Sequence, residues 1–467
     1  MANVFKVSEE DGRNADLREN EELRGEKYGI NKDVSRFHST CRPKSNIVFL
    51  KSHKTASSTV QNILMRYGLA NNLTFALPKR ENFLNWPKFF HKSSVLQEHL
   101  HGNQEHLHGN QERLLGNREH LHGNQERLHG NKEHLHGNQE RLHGNQEHLH
   151  GNQDRRHGNH TAYNILCHHT RFHYDNIRDL MPDDSVYVTI VRNPVDMFES
   201  IFTYRRLDKK YHISQPNSLK VFLDSPSDFV KKYGRTEHSQ NPLLYDLGYD
   251  SDQLTSSQTI QSAIDRIGQI FSVVMVADYF EESLILLKHV LCWSLDDVTF
   301  FKVNVRSDKS VRHVTADMAG KIRQWNKADA MLFEHFNRTL WAKLSKLPFN
   351  WRQEVQLLKE RNQRLKDACL KSDDASNTEI REQKFRVWEP EGVSVRGFLL
   401  RDSARENRTC VNMAKPPKPF TYELQDRERL RLGTGQLHDR ERAGQLQYRE
   451  RERLRLGTAA GQGKGGT

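Results

Sequence analysis

Asn46-Ile-Val-Phe-Leu-Lys-Ser-His-Lys-Thr-Ala-Ser-Ser-Thr59 is the stretch that decides the fold. The apolar run Ile47–Leu50 reads as a buried strand. It breaks into a loop dense in Lys, His, Ser and Thr, then resumes with apolar residues at helical spacing, Val60, Ile63, Leu64 and Tyr67. A strand feeding a cationic, hydroxyl-rich loop at a helix start makes an anion site. The first N–H groups of a helix lack partners and carry the positive end of its dipole, and lysines add full charge. Lys54 supplies the charge, and Thr55, Ser57, Ser58 and Thr59 supply four hydroxyls, a set that suits a phosphate or phosphosulfate group. The pattern GxxxxGK[ST] is missing, which disfavours Mg²⁺-dependent nucleotide hydrolysis. The competing reading is a surface loop closed by an ordinary Ser/Thr helix cap.

A second junction of the same kind is Val191-Arg-Asn-Pro-Val-Asp-Met-Phe-Glu-Ser200. The apolar run Val186–Val191 ends in a cation, and Asn193-Pro194 turns the chain into a helix. Arg192 can grip a phosphate through two parallel hydrogen bonds, with the Ser200 hydroxyl two turns on as a further donor. Alone, this is equally a turn with its arginine in a salt bridge; beside the first motif it reads as a second anion site. Asp196 and Glu199 read as solvated helix residues or dipole partners. Trp293 and Trp325 read as core. Phe271–Val276 is a third expected strand, followed by a helix over Glu281–Trp293 with Leu284, Leu287 and Leu291 on one face. A late amphipathic helix is expected over Trp351–Leu370. Strands alternating with helices predict an α/β fold with a central parallel sheet.

The rest of the chain is unusually polar. Of 467 residues only 35% are hydrophobic, and the mean hydropathy is −0.85. Residues 1–42 read as a disordered or atypical leader, 43–422 as the main domain, and 423–467 as a basic low-complexity tail in which RERLRLGT occurs twice. The domain is interrupted over 97–159 by a seven-residue tandem repeat typified by QEHLHGN. A coiled-coil seam needs two apolar positions per heptad, and most units have one Leu. Each Gly costs about 1 kcal/mol in a helix. The repeat therefore reads as a looped-out insertion, tolerable because loop closure grows only slowly more costly with length. Its histidines lack a fixed ligand geometry, so no metal site is expected.

The net charge of +11 and pI near 9.3 fit an anionic partner, or merely reflect basic tails. Nucleic acid is not expected, because the tail has almost no aromatic interleaving (Tyr448 only) and no RNA- or DNA-binding pattern is visible. Five cysteines without CxxC spacing suit reduced thiols or one or two disulfides. Sequons at Asn72, Asn159, Asn337 and Asn407 permit a luminal location. No signal peptide or run of about 18 apolar residues is present.

Together the two loops resemble the phosphosulfate-binding and 3′-phosphate-binding loops of sulfotransferases that use 3′-phosphoadenosine 5′-phosphosulfate (PAPS). FLKSHKTASSTVQNIL, CHHTRFHYDNIR, VRNPVDMFESIF, NPLLYDLGYD, DYFEESLILLKHVLCWSLDDV, FKVNVRS and HFNRTLW follow in this order. With these blocks the chain resembles the galactose-3-O-sulfotransferase family over most of 43–96 and from 161 to about 410. The resemblance implies a P-loop-like sulfotransferase fold, with PAPS as co-substrate. It implies that Lys51, His53, Lys54, Thr55, Ser57, Ser58 and Thr59 hold the phosphosulfate and that Arg192 and Ser200 hold the 3′-phosphate. The implied acceptor is a terminal β-galactose of a glycolipid or glycoprotein, sulfated on its 3-hydroxyl; the blocks YDLGYD and LCWSLDDV lean towards galactosylceramide.

In-line transfer needs a base for the galactose hydroxyl, a cation on the leaving phosphate oxygen, and exclusion of water. Lys54 is the expected cation, His53 the first choice of base and His169 the second; no metal is required. The resemblance also implies a Golgi membrane protein with a luminal catalytic domain. No anchor is seen, so the N-terminus is expected to be an incomplete or alternative version. Two other readings compete: a sulfotransferase for another glycan, such as a heparan-type uronic acid, and a non-enzymatic basic protein that binds nucleic acid or acidic membranes.

Overall fold

The computed structural model describes residues 41–79, 82–96 and 163–431. The repeat insertion, nearly all of the leader and most of the basic tail lie outside the described residues. Met1–Lys44 is a separate unit, described only over 41–44, and Ser45–Thr467 is the main one.

Four apolar runs form the sheet of the main unit: β1 (Ile47–Leu50), β2 (Ile165–Leu166), β3 (Val186–Val191) and β4 (Val273–Val276). Their order is β2-β1-β3-β4, and every pairing is parallel. Ile47 lies opposite both Ile165 and Val186, and Val188 opposite Val273. All strand residues are buried, which is why the runs are continuously apolar rather than alternating. Helices follow the strands, as a parallel sheet requires. They are α1 (Ser57–Ala70) after β1, α2 (Pro194–Tyr204) after β3, then α3 (Pro242–Asp246), α4 (Ser257–Ile270), α5 (Phe280–Leu291) after β4, α6 (Lys327–Leu344) and α7 (Trp351–Cys369). The expected α/β architecture is present.

Several boundaries move for identifiable reasons. β4 starts at Val273 rather than Phe271, because the Phe271 N–H closes α4 on the Ile267 carbonyl. α5 stops at Leu291, since Cys292 turns left-handed (φ 57°) and ends it. β2 is two residues long, below what a sequence pattern registers. After α7 an antiparallel pair, β5 (Leu370–Ala375) and β6 (Gly397–Leu400), builds a second small core with Phe301, Phe385, Phe398 and Met413. A Cys369–Cys410 disulfide ties it together, while Cys167 is buried and free.

α8 (Pro417–Arg431) runs past residue 422 into the expected tail and buries Phe420 and Leu424 against the main core. Trp293 is a core residue, 1% exposed. Among the described residues no helix is long and apolar enough to cross a membrane, and no cluster of His, Cys, Asp or Glu could hold a metal ion.

Candidate active site

The strand order puts β2 on one side of β1 and β3 on the other. The connection from β1 runs outward to β2 and that from β3 runs the opposite way to β4, and such a switch point opens a crevice between β1 and β3 at the carboxyl ends of the strands. The Lys51–Thr59 loop leaves β1 there and the Arg192 loop leaves β3 beside it. Arg192 ties them together, donating from Nη1 to the Lys54 carbonyl at 3.1 Å. A cleft of about 1210 Å³ opens at this point. Lys51, His53, Lys54, Thr55, Ser57, Ser58, Thr59, His169, Arg192 and Ser200 all line it.

The missing glycines of the first loop have a local explanation. Lys54 (φ 58°) and Ala56 (φ 61°) adopt the left-handed conformation themselves, at a cost of about 1–2 kcal/mol each. Ala56 then stands at the N-cap of α1 with no side chain capping the helix. The ordinary Ser/Thr cap is thus excluded, and the leading N–H groups of a fourteen-residue helix face the cleft end uncapped. The four hydroxyls divide in two. Ser57 donates to the Ser52 carbonyl at 2.5 Å, and Thr55 pairs with the Ser52 hydroxyl at 2.9 Å, so both brace the loop. Ser58 instead accepts from Asn304 Nδ2, and Thr59 from the Val303 N–H, each at 3.2 Å. Their own protons stay available.

The cations are crowded. Burial brings Lys51 down to about 7. Burial first, then Arg306, Arg192 and Arg205, brings Lys54 to about 7 as well. The Lys54 ammonium lies 3.6 Å from the Tyr204 ring centre, a cation–π contact. Glu199 is not a solvated helix residue: it is 3% exposed and forms a two-pronged ion pair with Arg306. It also accepts from the Arg312 N–H at 3.1 Å and the Thr203 hydroxyl at 3.2 Å. Asp196 is exposed, as expected.

The histidines meet on the other side. The His53 ring stacks on His169 (4.2 Å between centres), tilts against Trp86 (4.6 Å) and meets the edge of His238 (4.9 Å). His53 Nδ1 bonds Asp246 at 2.9 Å to Oδ2 and 3.0 Å to Oδ1, while its Nε2 is buried without a partner. His169 donates from Nδ1 to the Lys51 carbonyl at 2.8 Å, which leaves its Nε2 as an acceptor. Both rings are held well below the usual histidine range, by burial first and then by neighbouring cations, and so are neutral, each with one ring nitrogen carrying a lone pair.

Sequence reasoning passed over Asp246, Arg205, Arg306 and Asn304. Arg205, Arg306 and Asn304 line the cleft. Asp246 and Arg306 do lie in the ordered blocks NPLLYDLGYD and FKVNVRS, but nothing local marks them out.

A family model described as Galactose-3-O-sulfotransferase matches residues 16–115 and 150–428, wider than the quoted blocks on both sides. The chain is 32% identical to human (Homo sapiens) galactosylceramide sulfotransferase over 392 residues, covering 82% of this chain and 79% of that protein. It is 31% identical to Galactose-3-O-sulfotransferase 2 of Mus musculus over 384 residues (80% and 83%). It is 30% identical to human Galactose-3-O-sulfotransferase 3 over 416 residues (85% and 81%). With matches of this breadth, and the expected loops meeting at one switch-point cleft, the chain belongs to the galactose-3-O-sulfotransferase family.

Proposed function

We propose that the protein transfers a sulfuryl group from PAPS to the 3-hydroxyl of a terminal β-galactose, on a galactosylceramide-like glycolipid or a glycoprotein glycan. The observation that carries this reading is the convergence of both loops on one cleft, with an uncapped helix start at one point and an unpartnered imidazole nitrogen at another. The residues fit a co-substrate with two anionic groups: Lys51, Lys54, Arg192 and Arg306 line the same space, and their mutual repulsion would be relieved by negative charge.

PAPS supplies the sulfuryl group when bound. The leading N–H groups of α1, with Lys51 and the Ser58 and Thr59 hydroxyls, bind the phosphosulfate oxygens. Thr55 and Ser57 shape the loop that presents them. Arg192 and Ser200 bind the 3′-phosphate. Lys54 leaves its Tyr204 ring to neutralise charge on the departing phosphate oxygen. His53 Nε2 takes the proton from the galactose 3-hydroxyl, and His169, stacked beside it, is the second candidate for that role. No residue role here calls on a metal ion. Placement in the Golgi lumen agrees with the disulfide and with exposed sequon residues at Asn72 and Asn407.

The test is to offer the purified protein PAPS with galactosylceramide, lactosylceramide or N-acetyllactosamine. A 3-sulfated galactose is expected from at least one. Absence of product on every galactoside, with transfer to a uronic-acid glycan, would move the reading to the other glycan class.

A further inference from the structure

We propose that Asp246 is the positioning residue of the site, fixing His53 in the one tautomer that leaves its buried Nε2 lone pair without a partner. The inference rests on the reading of His53 as base.

Two N–H donors and the His53 Nδ1 converge on this one carboxylate. The His53 backbone N–H reaches Oδ2 at 2.8 Å, the Trp86 indole N–H reaches Oδ1 at 3.1 Å, and His53 Nδ1 lies within 3.0 Å of both oxygens. Asp246 is 2% exposed, and no solvent competes for these bonds. An ionised carboxylate has only acceptor capacity to offer Nδ1, so the ring carries its proton there. The ring cannot swing away, since His169, Trp86 and His238 pack around it. What is left is a buried Nε2 without a partner, a costly arrangement unless a ligand hydroxyl completes it. The carboxylate is itself fixed. It ends α3, whose first N–H groups, from Leu243 and Leu244, are held by the Asp329 carboxylate at 2.9 and 3.0 Å. The Tyr245 hydroxyl, from the same helix, bonds the Pro87 carbonyl at 2.8 Å.

The proton count gives the arrangement its consequence. With one proton on the pair, Nδ1–H faces the carboxylate and Nε2 is basic. In the transfer step Nε2 takes the hydroxyl proton as the galactose O3–S bond forms and the S–O bond to the phosphate breaks. A second proton disables the pair wherever it goes. On the ring it occupies Nε2. On the carboxyl it is donated to Nδ1, which forces the ring's own proton to Nε2. The charged and titratable groups facing His53 are Lys51 and Lys54 from its own loop, Arg205 at the end of α2, and His169, His238 and Asp246. The three cations oppose a positive ring, so the second proton goes to Asp246, whose carboxyl burial raises to about 7 against the pull of Arg205 and Arg171, with the Asp329 carboxyl also in its field. With bound PAPS holding Lys51 and Lys54 charged, kcat at saturating PAPS should therefore climb as pH rises through about 7, and Asp246→Asn should resemble the wild type at low pH. The amide keeps one acceptor oxygen for three donors, and its NH₂ facing Nδ1 selects the Nε2–H ring.

The experiment compares wild type, D246N, H53A and the double variant by kcat, KM for PAPS and pH profile, with 3′,5′-adenosine bisphosphate binding measured by calorimetry. D246N should lose about 10²–10⁴-fold in kcat, keep nucleotide affinity within about twofold, and lose the acid limb near pH 7; adding it to H53A should cost nothing further. A D246N enzyme with wild-type kcat and an unchanged acid limb overturns the proposal. Should D246N fail to fold, ¹⁵N NMR of wild-type His53 at pH 8 decides. Protonated Nδ1 with bare Nε2 supports the proposal, and protonated Nε2 overturns it. An H53A enzyme with undiminished kcat overturns the base reading itself, a result distinct from either outcome at Asp246.

Discussion

Lys54 and Arg192 show how much one side chain carries here. Lys54 stands among Arg306, Arg192 and Arg205 with Glu199 as the counterweight in its field, and Arg192 holds its carbonyl. Cations gathered this closely are stable only if buried acids or a ligand balance them, and Glu199 is already committed to Arg306. Each of Lys54→Ala and Arg192→Ala should weaken binding of 3′,5′-adenosine bisphosphate by about 10- to 100-fold, the worth of a charge-assisted hydrogen bond of about 1.5–3 kcal/mol. Retention on the immobilised nucleotide at moderate salt reads this directly. Undiminished retention of both variants would remove these residues from the site. The residue types at these positions were readable in the chain. Their hydrogen bonds were not: nothing in the string Thr55–Thr59 separates the two hydroxyls that brace the loop from the two that keep their protons.

At the level of elements, α1 must lie close to β2 for its start to meet the cleft. Gly68 permits this. A Cβ there would come within 2.3 Å of Phe75 Cζ and 2.8 Å of Ile165 Cδ1. Gly68→Ala should therefore destabilise the protein by about 1–3 kcal/mol through overpacking, outweighing the gain of about 1 kcal/mol from helix propensity. A calorimetric Tm several degrees lower is the expected result, and a Tm above wild type would show that the contact relaxes freely. β1, β3 and α1 were legible because long apolar runs and helical spacing are strong local signals. β2 was not, as two residues have no period, and α8 was masked by charged neighbours although Phe420 and Leu424 stand at i and i+4.

For the whole molecule, the question is how the fold accommodates the repeat over 97–159. Its two flanks are neighbours. The Leu96 N–H bonds the Leu77 carbonyl at 2.7 Å, and the Tyr163 hydroxyl bonds the Leu96 carbonyl at 3.1 Å. Segment 74–78 thus holds both, pairing with Val95 through Pro78 and with Ile165 through Phe75. We propose that the repeat is a dispensable insertion into a single sulfotransferase domain. Replacing residues 97–160 with a short Gly/Ser linker should leave Tm within a few degrees and nucleotide affinity unchanged, since closing a long loop costs little more than closing a short one. A large loss of Tm would show instead that the repeat helps to build the domain.

By itself the sequence determined the alternation of strand and helix, the cationic loops at two strand ends, and the family, because these are local patterns or ordered strings of them. Only the tertiary structure decided that the two loops are adjacent, which follows from β1 and β3 pairing across 139 residues of chain. It also decided the partners that give the site its chemistry. Asp246 stands 193 residues from His53, and Arg306 stands 107 from Glu199. Hydrogen bonds of that span depend on how α3 and the 302–306 segment pack, and packing leaves no mark on the residues between.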